Sequence, residues 1–364
     1  MKIAILPWSE WALNNRMFQI SETGSGEDIY TRVWKEMREW FLKHGYQMET
    51  IDRYDNWKKI DYIIIHNGIH QKYTRKFLMK GLENKLIYRA CEPEVVNHMH
   101  SKENVRKLLR YYKYIITWNE ELVDNKRIFL MNTLPYVFKN CFGDIPFCNK
   151  KLLVAIYSNK TSLNKNELYS ERKKIFKFFE SIENEFDLYG YGWKKEEYHH
   201  YKGIVDNKNE VYHKYKFALA FENIKDTIGG VSEKIYDCIC AGIVPIYYGS
   251  KNIREYVPED VFIDYRRFKS IDEMYYFLKN MDEETYLKYI EAARKYLESD
   301  LIKKVGVEGF CKELESLMQA NPASDIKCSL YNKILYCINT ILKEKELSFK
   351  RKLVKIRNYV KKIG

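Results

Sequence analysis

One segment, Phe217–Ser250, reads FALAFENIKDTIGGVSEKIYDCICAGIVPIYYGS and limits the possible folds more than any other part of the chain. An apolar run is followed by a polar loop with paired glycines, an amphipathic stretch that stops at Gly242, and a second apolar run. Strand, loop, helix and strand in this order make a parallel crossover unit. In open α/β sheets ligands bind beyond the carboxyl ends of strands, which directs Glu222 and Asn223 to a cleft. Gly229 and Gly230 let backbone approach a ligand closely, and a helix starting near Val231 or Ser232 presents unpaired N–H groups and a positive dipole end. Lys234 adds a cation in the first turn, so an anion such as a diphosphate fits there. Glu233 has two readings: it compensates the helix dipole, or it accepts hydrogen bonds from hydroxyls of a ligand that carries both phosphates and hydroxyls. From the residues alone the unit reads as a nucleotide or phosphosugar site.

The same alternation runs along the whole chain. KIAILPW, YQMETID, DYIIIHNG, KLIYRACEPE and YKYIITWNEE read as strands of a first sheet, with an amphipathic helix over Ile29–His44. TGSGED, after the first strand, lacks dinucleotide-motif spacing and reads as a loop. Glycine and proline in KNCFGDIPFCNK, residues 139–150, mark a boundary. Beyond it KLLVAIYS, a helix over Glu167–Ser181, FDLYGYGW and YKFALAFEN begin a second alternation. A chain of 364 residues with 46% hydrophobic and 31% charged residues has material for two globular cores. The expected organisation is a domain over 1–145, a ligand-binding domain over 150–320, and a tail over 321–364.

The net charge of +12 is concentrated in that tail. From Asn321 onward there are eleven Lys or Arg against three Asp or Glu, so the body is close to neutral and no nucleic-acid partner is expected. Phe349, Leu353, Ile356, Val360 and Ile363 form an apolar stripe edged by cations, which suits an anionic membrane surface or a helix packed on the body. No run is long enough to cross a bilayer. The N-terminus reads as a core strand, so export is not expected. Eight cysteines without a CxxC pair read as reduced thiols. His98 with His100, and His199 with His200, lack further ligands at metal-binding spacing. The 31 tyrosines suit sugar-facing surfaces, although packing accounts for most tyrosines in any globular chain.

YKFALAFEN, then VSEK, then AGIVPIYYGS, resembles the signature of the α-1,3-fucosyltransferases, which use GDP-fucose. The likeness is strongest over 211–280, extends back to AIYSN and YSERKKIFKFF, and touches RACEPE and YKYIITWNEE. It implies an α/β GT-B fold: two Rossmann-like parallel-sheet domains facing a cleft, donor on the second and acceptor on the first, with a basic helical C-terminal tail here. By the same resemblance Arg172 and Lys234 face the diphosphate, Asn223 the donor phosphate or sugar, and Glu233 the hydroxyls of ribose or fucose. Ser158, Asn159, Glu222, Gly230 and Ser232 complete the donor set. Glu92 corresponds to the catalytic base, with Glu94 as its neighbouring competitor.

The resemblance further implies inversion in a single displacement, with no cofactor beyond GDP-fucose as donor. No Asp-x-Asp triplet occurs, so no metal is expected. The acceptor would be a glycan of lipopolysaccharide or capsule type, and the enzyme would sit in the cytoplasm on the inner face of the membrane. Two departures stand out: Gly230 occupies a position that is usually aromatic, and Ser232 replaces Thr. They keep open a GT-B enzyme with another nucleotide sugar. A non-catalytic protein that binds membrane through its tail is the remaining alternative.

Overall fold

The computed structural model describes residues 1–19, 29–67, 71–131, 138–342 and 345–346. Its first sheet is built from β1 (Lys2–Leu6), β2 (Gln47–Thr50), β3 (Tyr62–His66), β4 (Leu86–Ala90), β5 (Tyr114–Thr117) and β6 (Ile128–Leu130), in the order β2-β1-β3-β4-β5-β6. Every pairing is parallel. β3 and β4 are buried at every position, as strands covered on both faces must be, hence their largely apolar character, with His66 and Arg89 as the buried exceptions. Helices α1 (Ile29–Lys43), α2 (Gln71–Met79) and α3 (Lys102–Leu108) make crossovers.

The second sheet, also wholly parallel, contains β7 (Lys151–Ile156), β8 (Phe186–Tyr189), β9 (Tyr215–Phe221), β10 (Val244–Tyr248) and β11 (Ile263–Asp264), ordered β11-β10-β9-β7-β8. α4 (Tyr169–Phe179) joins β7 to β8, α5 (Lys208–Tyr212) leads back to β9, and α6 (Glu233–Ala241) joins β9 to β10. The chain leaves β7 toward one side and returns on the other. The switch point, where a crevice opens above the sheet, therefore lies between β7 and β9. Together with the facing first sheet this is the GT-B architecture expected from the sequence.

The domain limits differ from that expectation at their C-terminal side. After α7 (Ile271–Lys279), α8 (Glu283–Glu298) and α9 (Asp300–Val305), helix α10 (Val307–Ala320) returns to the first domain. Val307, Phe310, Cys311, Leu314, Leu317 and Met318 occupy one face of α10 and share a core with Ile3, Trp34, Met37 and Phe41. Each such side chain buried contributes roughly 1.5–3 kcal/mol, so this face cannot be left uncovered. Residues 307–320 thus belong to the first core and not to the second domain.

The segment that follows is strapped across the first domain. The Tyr114 hydroxyl donates to Asn321 Oδ1 at 2.7 Å, Lys113 Nζ pairs with Asp325 at 2.9 Å, and Lys333 pairs with Glu83 at 3.0 Å. Residues 330–342 are helical, with Tyr336 buried against the hydroxyl of Tyr112 at 3.1 Å. The opposite face leaves Leu330, Tyr331, Ile334, Ile338 and Leu342 exposed. The stripe Phe349–Ile363 and the TGSGED loop lie outside the described residues. No described helix is long and apolar enough to cross a membrane.

Candidate active site

The carboxyl ends of both sheets converge on one cleft with room of about 290 Å³. The second domain lines it with Ser158 after β7, Glu222 and Asn223 after β9, Arg172 from α4, and Gly230, Ser232, Glu233 and Lys234 at the start of α6. The first domain supplies His66 at the end of β3, Cys91 and Glu92 after β4, and Trp118 after β5.

Ser232 is the N-cap of α6, its hydroxyl accepting from the Lys234 N–H at 3.5 Å. Both oxygens of buried Glu222 are taken by Ser232, one by its N–H at 2.8 Å and one by its hydroxyl at 2.7 Å. Glu222 is thereby a clamp that ties the end of β9 to the start of α6. This corrects one expectation: the N–H groups of Ser232 and Lys234 are already satisfied within the protein, so at these two positions the helix terminus offers side chains to an anion and not free backbone donors.

The Lys234 ammonium stands 3.3 Å from Glu233 and 3.7 Å from Glu222. Burial opposes its charge, but the two carboxylates outweigh burial and raise its pKa, so it is a permanent cation. For Glu233 burial likewise favours the neutral form, yet Lys234 and Lys208 more than offset it and hold the carboxyl down at about 2. Lys208, whose ammonium is 2.6 Å from Asp237, was not anticipated from the sequence.

Arg172 is buried, its guanidinium 4.0 Å from the centre of the Tyr157 ring. Nη2 donates to the carbonyl oxygens of Phe221 at 2.6 Å and Glu222, and to Asn223 Oδ1 at 3.1 Å. These bonds set the end of β9 and orient the Asn223 amide, while Nε has no hydrogen-bond partner among the described residues. Burial lowers the Arg172 pKa, but from so high a starting value that the group stays charged. Arg172, Asn223, Glu233 and Lys234 are therefore brought together as expected. Asn159 is not: its amide donates to the Gly192 carbonyl at 3.1 Å and its N–H to that of Tyr191, which keeps the side chain out of the cleft lining.

Across the cleft, Glu92 is partly buried, and its carboxyl pKa is raised by that burial and then by the negative charge of Glu233. Glu94, its competitor, accepts from Asn164 Nδ2 at 2.6 Å and does not line the cleft. The Glu92 carbonyl is 2.7 Å from His100 Nδ1, and since a carbonyl only accepts, Nδ1 carries the proton. His100 Nε2 then accepts from the Tyr88 hydroxyl at 3.0 Å and Asn97 Nδ2 at 3.2 Å. Burial pushes the His100 pKa down to about 4, so the ring is neutral. A second buried histidine, His66, accepts at Nδ1 from Arg89 at 2.9 Å, and burial and Arg89 hold it well below its usual range. In the sequence His66 only closes an apolar run and His100 stands only beside His98 as a pair without further metal ligands, so neither pattern signals the roles seen here. His199 pairs with Glu180, and among the described residues no His, Cys, Asp and Glu cluster suits a metal ion. All eight cysteines are free.

Residues 148–333, just over half of the chain, match the model of glycosyltransferase family 10 (fucosyltransferase), C-terminal part. The chain belongs to this family. The matched range contains every second-domain residue of the cleft. This family 10 chain is 28% identical over 165 residues to 4-galactosyl-N-acetylglucosaminide 3-alpha-L-fucosyltransferase 9 of Rattus norvegicus, covering 44% of the chain and 40% of that protein. It is 39% identical over 75 residues to the alpha-(1,3)-fucosyltransferase FucT of Helicobacter pylori, covering 21% of the chain and 16% of that protein. The chain thus matches less than half the length of these curated relatives. A solved α1,3-fucosyltransferase with GDP-fucose shares the fold, with a TM-score of 0.50 at 17% identity over 88% of the chain and 91% of that structure.

Proposed function

We propose that this family 10 member is an inverting glycosyltransferase that moves L-fucose from GDP-fucose to a glycan hydroxyl, in α-1,3 linkage to a GlcNAc or Gal-GlcNAc type acceptor. The observation that carries the proposal is the division of the cleft. A carboxyl with a raised pKa, Glu92, stands on one wall, and two cations with a permanently ionised carboxylate, Arg172, Lys234 and Glu233, stand on the other. The relatives' names and the solved structure with GDP-fucose support the choice of donor.

In this reading Glu92 takes the proton of the acceptor hydroxyl as its oxygen bonds to C1 of the sugar. The bond from C1 to the β-phosphate oxygen breaks in the same step, and GDP leaves with the bonding pair. Attack opposite the leaving group turns the β-linked donor into an α-linked product. Lys234 and Arg172 stabilise the growing diphosphate charge in a partly dry cleft, where fixed cations act most strongly. A placed base contributes typically about 10²- to 10⁴-fold. Glu233, ionised throughout, accepts from donor hydroxyls, and Asn223, held by Arg172, presents its amide to the donor.

The same reading puts the product in surface polysaccharide of lipopolysaccharide or capsule type, with the protein on the inner face of the cytoplasmic membrane. The exposed apolar face over 330–342 and the cation-rich sequence after it support that placement. A second reading, another nucleotide sugar, is favoured by one observation: Gly230 contributes no side chain to the cleft wall. The test is nucleotide release from GDP-fucose, GDP-mannose, UDP-sugars and CMP-sialic acid with a mixed glycan acceptor. Release from GDP-fucose alone, abolished in Glu233→Ala, is the expected result. Release from another donor would replace fucose and keep the chemistry.

A further inference from the structure

Where the two domains meet beside the cleft, their backbones interlock. Gly229 and Gly230 both have left-handed φ, +80° and +82°, which other L-residues adopt only with strain. A Cβ on Gly229 would stand 2.2 Å from the Trp118 carbonyl oxygen, and a Cβ on Gly230 2.6 Å from the Trp118 ring. Gly229 thus admits the Trp118 backbone, and Gly230 its ring, from the opposite domain. The approach is fastened on both sides. Glu120 N–H donates to the Ile228 carbonyl at 3.2 Å, and Glu120 Oε1 accepts from Asn252 Nδ2 at 2.8 Å and from the Tyr256 hydroxyl at 2.6 Å. Asn252 Oδ1 in turn accepts from Gly229 N–H at 2.7 Å. Only two residues after Gly230 the chain reaches Ser232, the cap of the helix that bears Glu233 and Lys234.

We infer that Trp118, contributed by the first domain, is a wall of the donor site at its sugar end, so that the site is complete only when the domains are docked through this loop. The ring lines the same cleft as Glu92 and Glu233 and comes from the domain that carries Glu92, while the phosphate-binding cations come from the other. An apolar ring beside a carboxylate takes a sugar by its C–H face and its hydroxyls together. The inference rests on the nucleotide-sugar reading above but not on the identity of the sugar.

A double-mutant cycle tests it, with Trp118→Leu and Gly230→Ala read by calorimetry against both the nucleotide sugar and the bare nucleotide that the wild type binds from the panel above. Gly230→Ala carries left-handed strain in either background, and the cycle subtracts it. Trp118→Leu should weaken the nucleotide sugar about tenfold and the bare nucleotide much less. Gly230→Ala should cost about tenfold beside Trp118 and about threefold or less beside Leu. Additive losses, or coupling in the unfolding midpoint with nucleotide-sugar affinity unmoved, would reduce Trp118 to a packing residue and overturn the inference. A different preferred nucleotide corrects the donor assignment alone, while binding of none of the panel overturns both. Should Trp118→Leu not fold, Trp118→Phe runs the same cycle with a smaller coupling.

Discussion

His100 holds Glu92 by its main chain: the protonated Nδ1 donates to the Glu92 carbonyl at 2.7 Å while Nε2 accepts from Tyr88. The carboxyl itself is left free to face the cleft. Removing the ring leaves the Glu92 carbonyl and the Tyr88 hydroxyl without this partner and loosens the segment after β4. His100→Ala should therefore lower kcat by about 10- to 100-fold, the scale on which small misplacement of a reacting group acts. Donor KM should change little, because Arg172, Asn223, Glu233 and Lys234 sit on the other domain and Trp118 follows a different strand of the first. Steady-state kinetics that show the reverse split would remove the positioning role.

Glu92 and Glu233 have carboxyl pKa values displaced in opposite directions, which assigns the acid limb of the rate profile. Glu233 stays ionised down to about pH 2. Burial and the charge of Glu233 raise the pKa of Glu92 above its ordinary value, so activity should fall as pH drops through it. Glu92→Gln should lose about 10²- to 10⁴-fold in kcat and flatten the limb. An unchanged limb in that variant would move the base elsewhere.

His100 also makes stability depend on pH. Its folded pKa of about 4 lies below the unfolded value near 6.5, so between these values the unfolded chain binds the extra proton. The stabilisation is fully present above about pH 6.5 and fades as pH falls toward 4. Urea unfolding should show stability rising with pH across that window. The slope should shrink in His100→Ala, with a remainder from His66, whose pKa is displaced the same way.

The Glu222–Ser232 clamp gives a prediction about stability at the donor wall. In Glu222→Gln one oxygen still accepts from the Ser232 N–H, but the new amide cannot accept from the Ser232 hydroxyl. A buried hydrogen bond lost in this way costs about 1–3 kcal/mol. Nucleotide affinity should fall along with the unfolding midpoint, because the cap of α6 shifts. Gly249→Ala approaches the same clamp from behind, since its Cβ would lie 2.4 Å from Glu222 Cγ, and should mimic it.

Lys234→Met removes the cation between two partly or fully buried carboxylates. Breaking such a group typically costs about 3–5 kcal/mol, because charge is left uncompensated. The variant should lose nucleotide binding and become markedly less stable at neutral pH. It should recover part of that stability as pH is lowered and Glu233 protonates. A pH-independent loss in calorimetric melts would contradict the charge argument.

The sequence by itself determined the local elements and half of the site. Alternating apolar runs and amphipathic stretches specify strands and helices because backbone hydrogen bonding and one-sided burial act over a few residues. Glu222, Asn223, Glu233 and Lys234 share one strand-loop-helix unit, so their convergence was legible without a partner domain. Tertiary structure decided what depends on surfaces distant in the chain. It brought Glu92 opposite Glu233, spent both oxygens of Glu222 on Ser232, turned Asn159 toward Gly192, and committed Arg172 to the end of β9. It also returned α10 to the first core and set Trp118 against Gly230. Periodicity shows that α10 has an apolar face but not which of two cores will cover it. A glycine pair likewise shows that something approaches closely, and only the docking of the two domains identifies the ring that does.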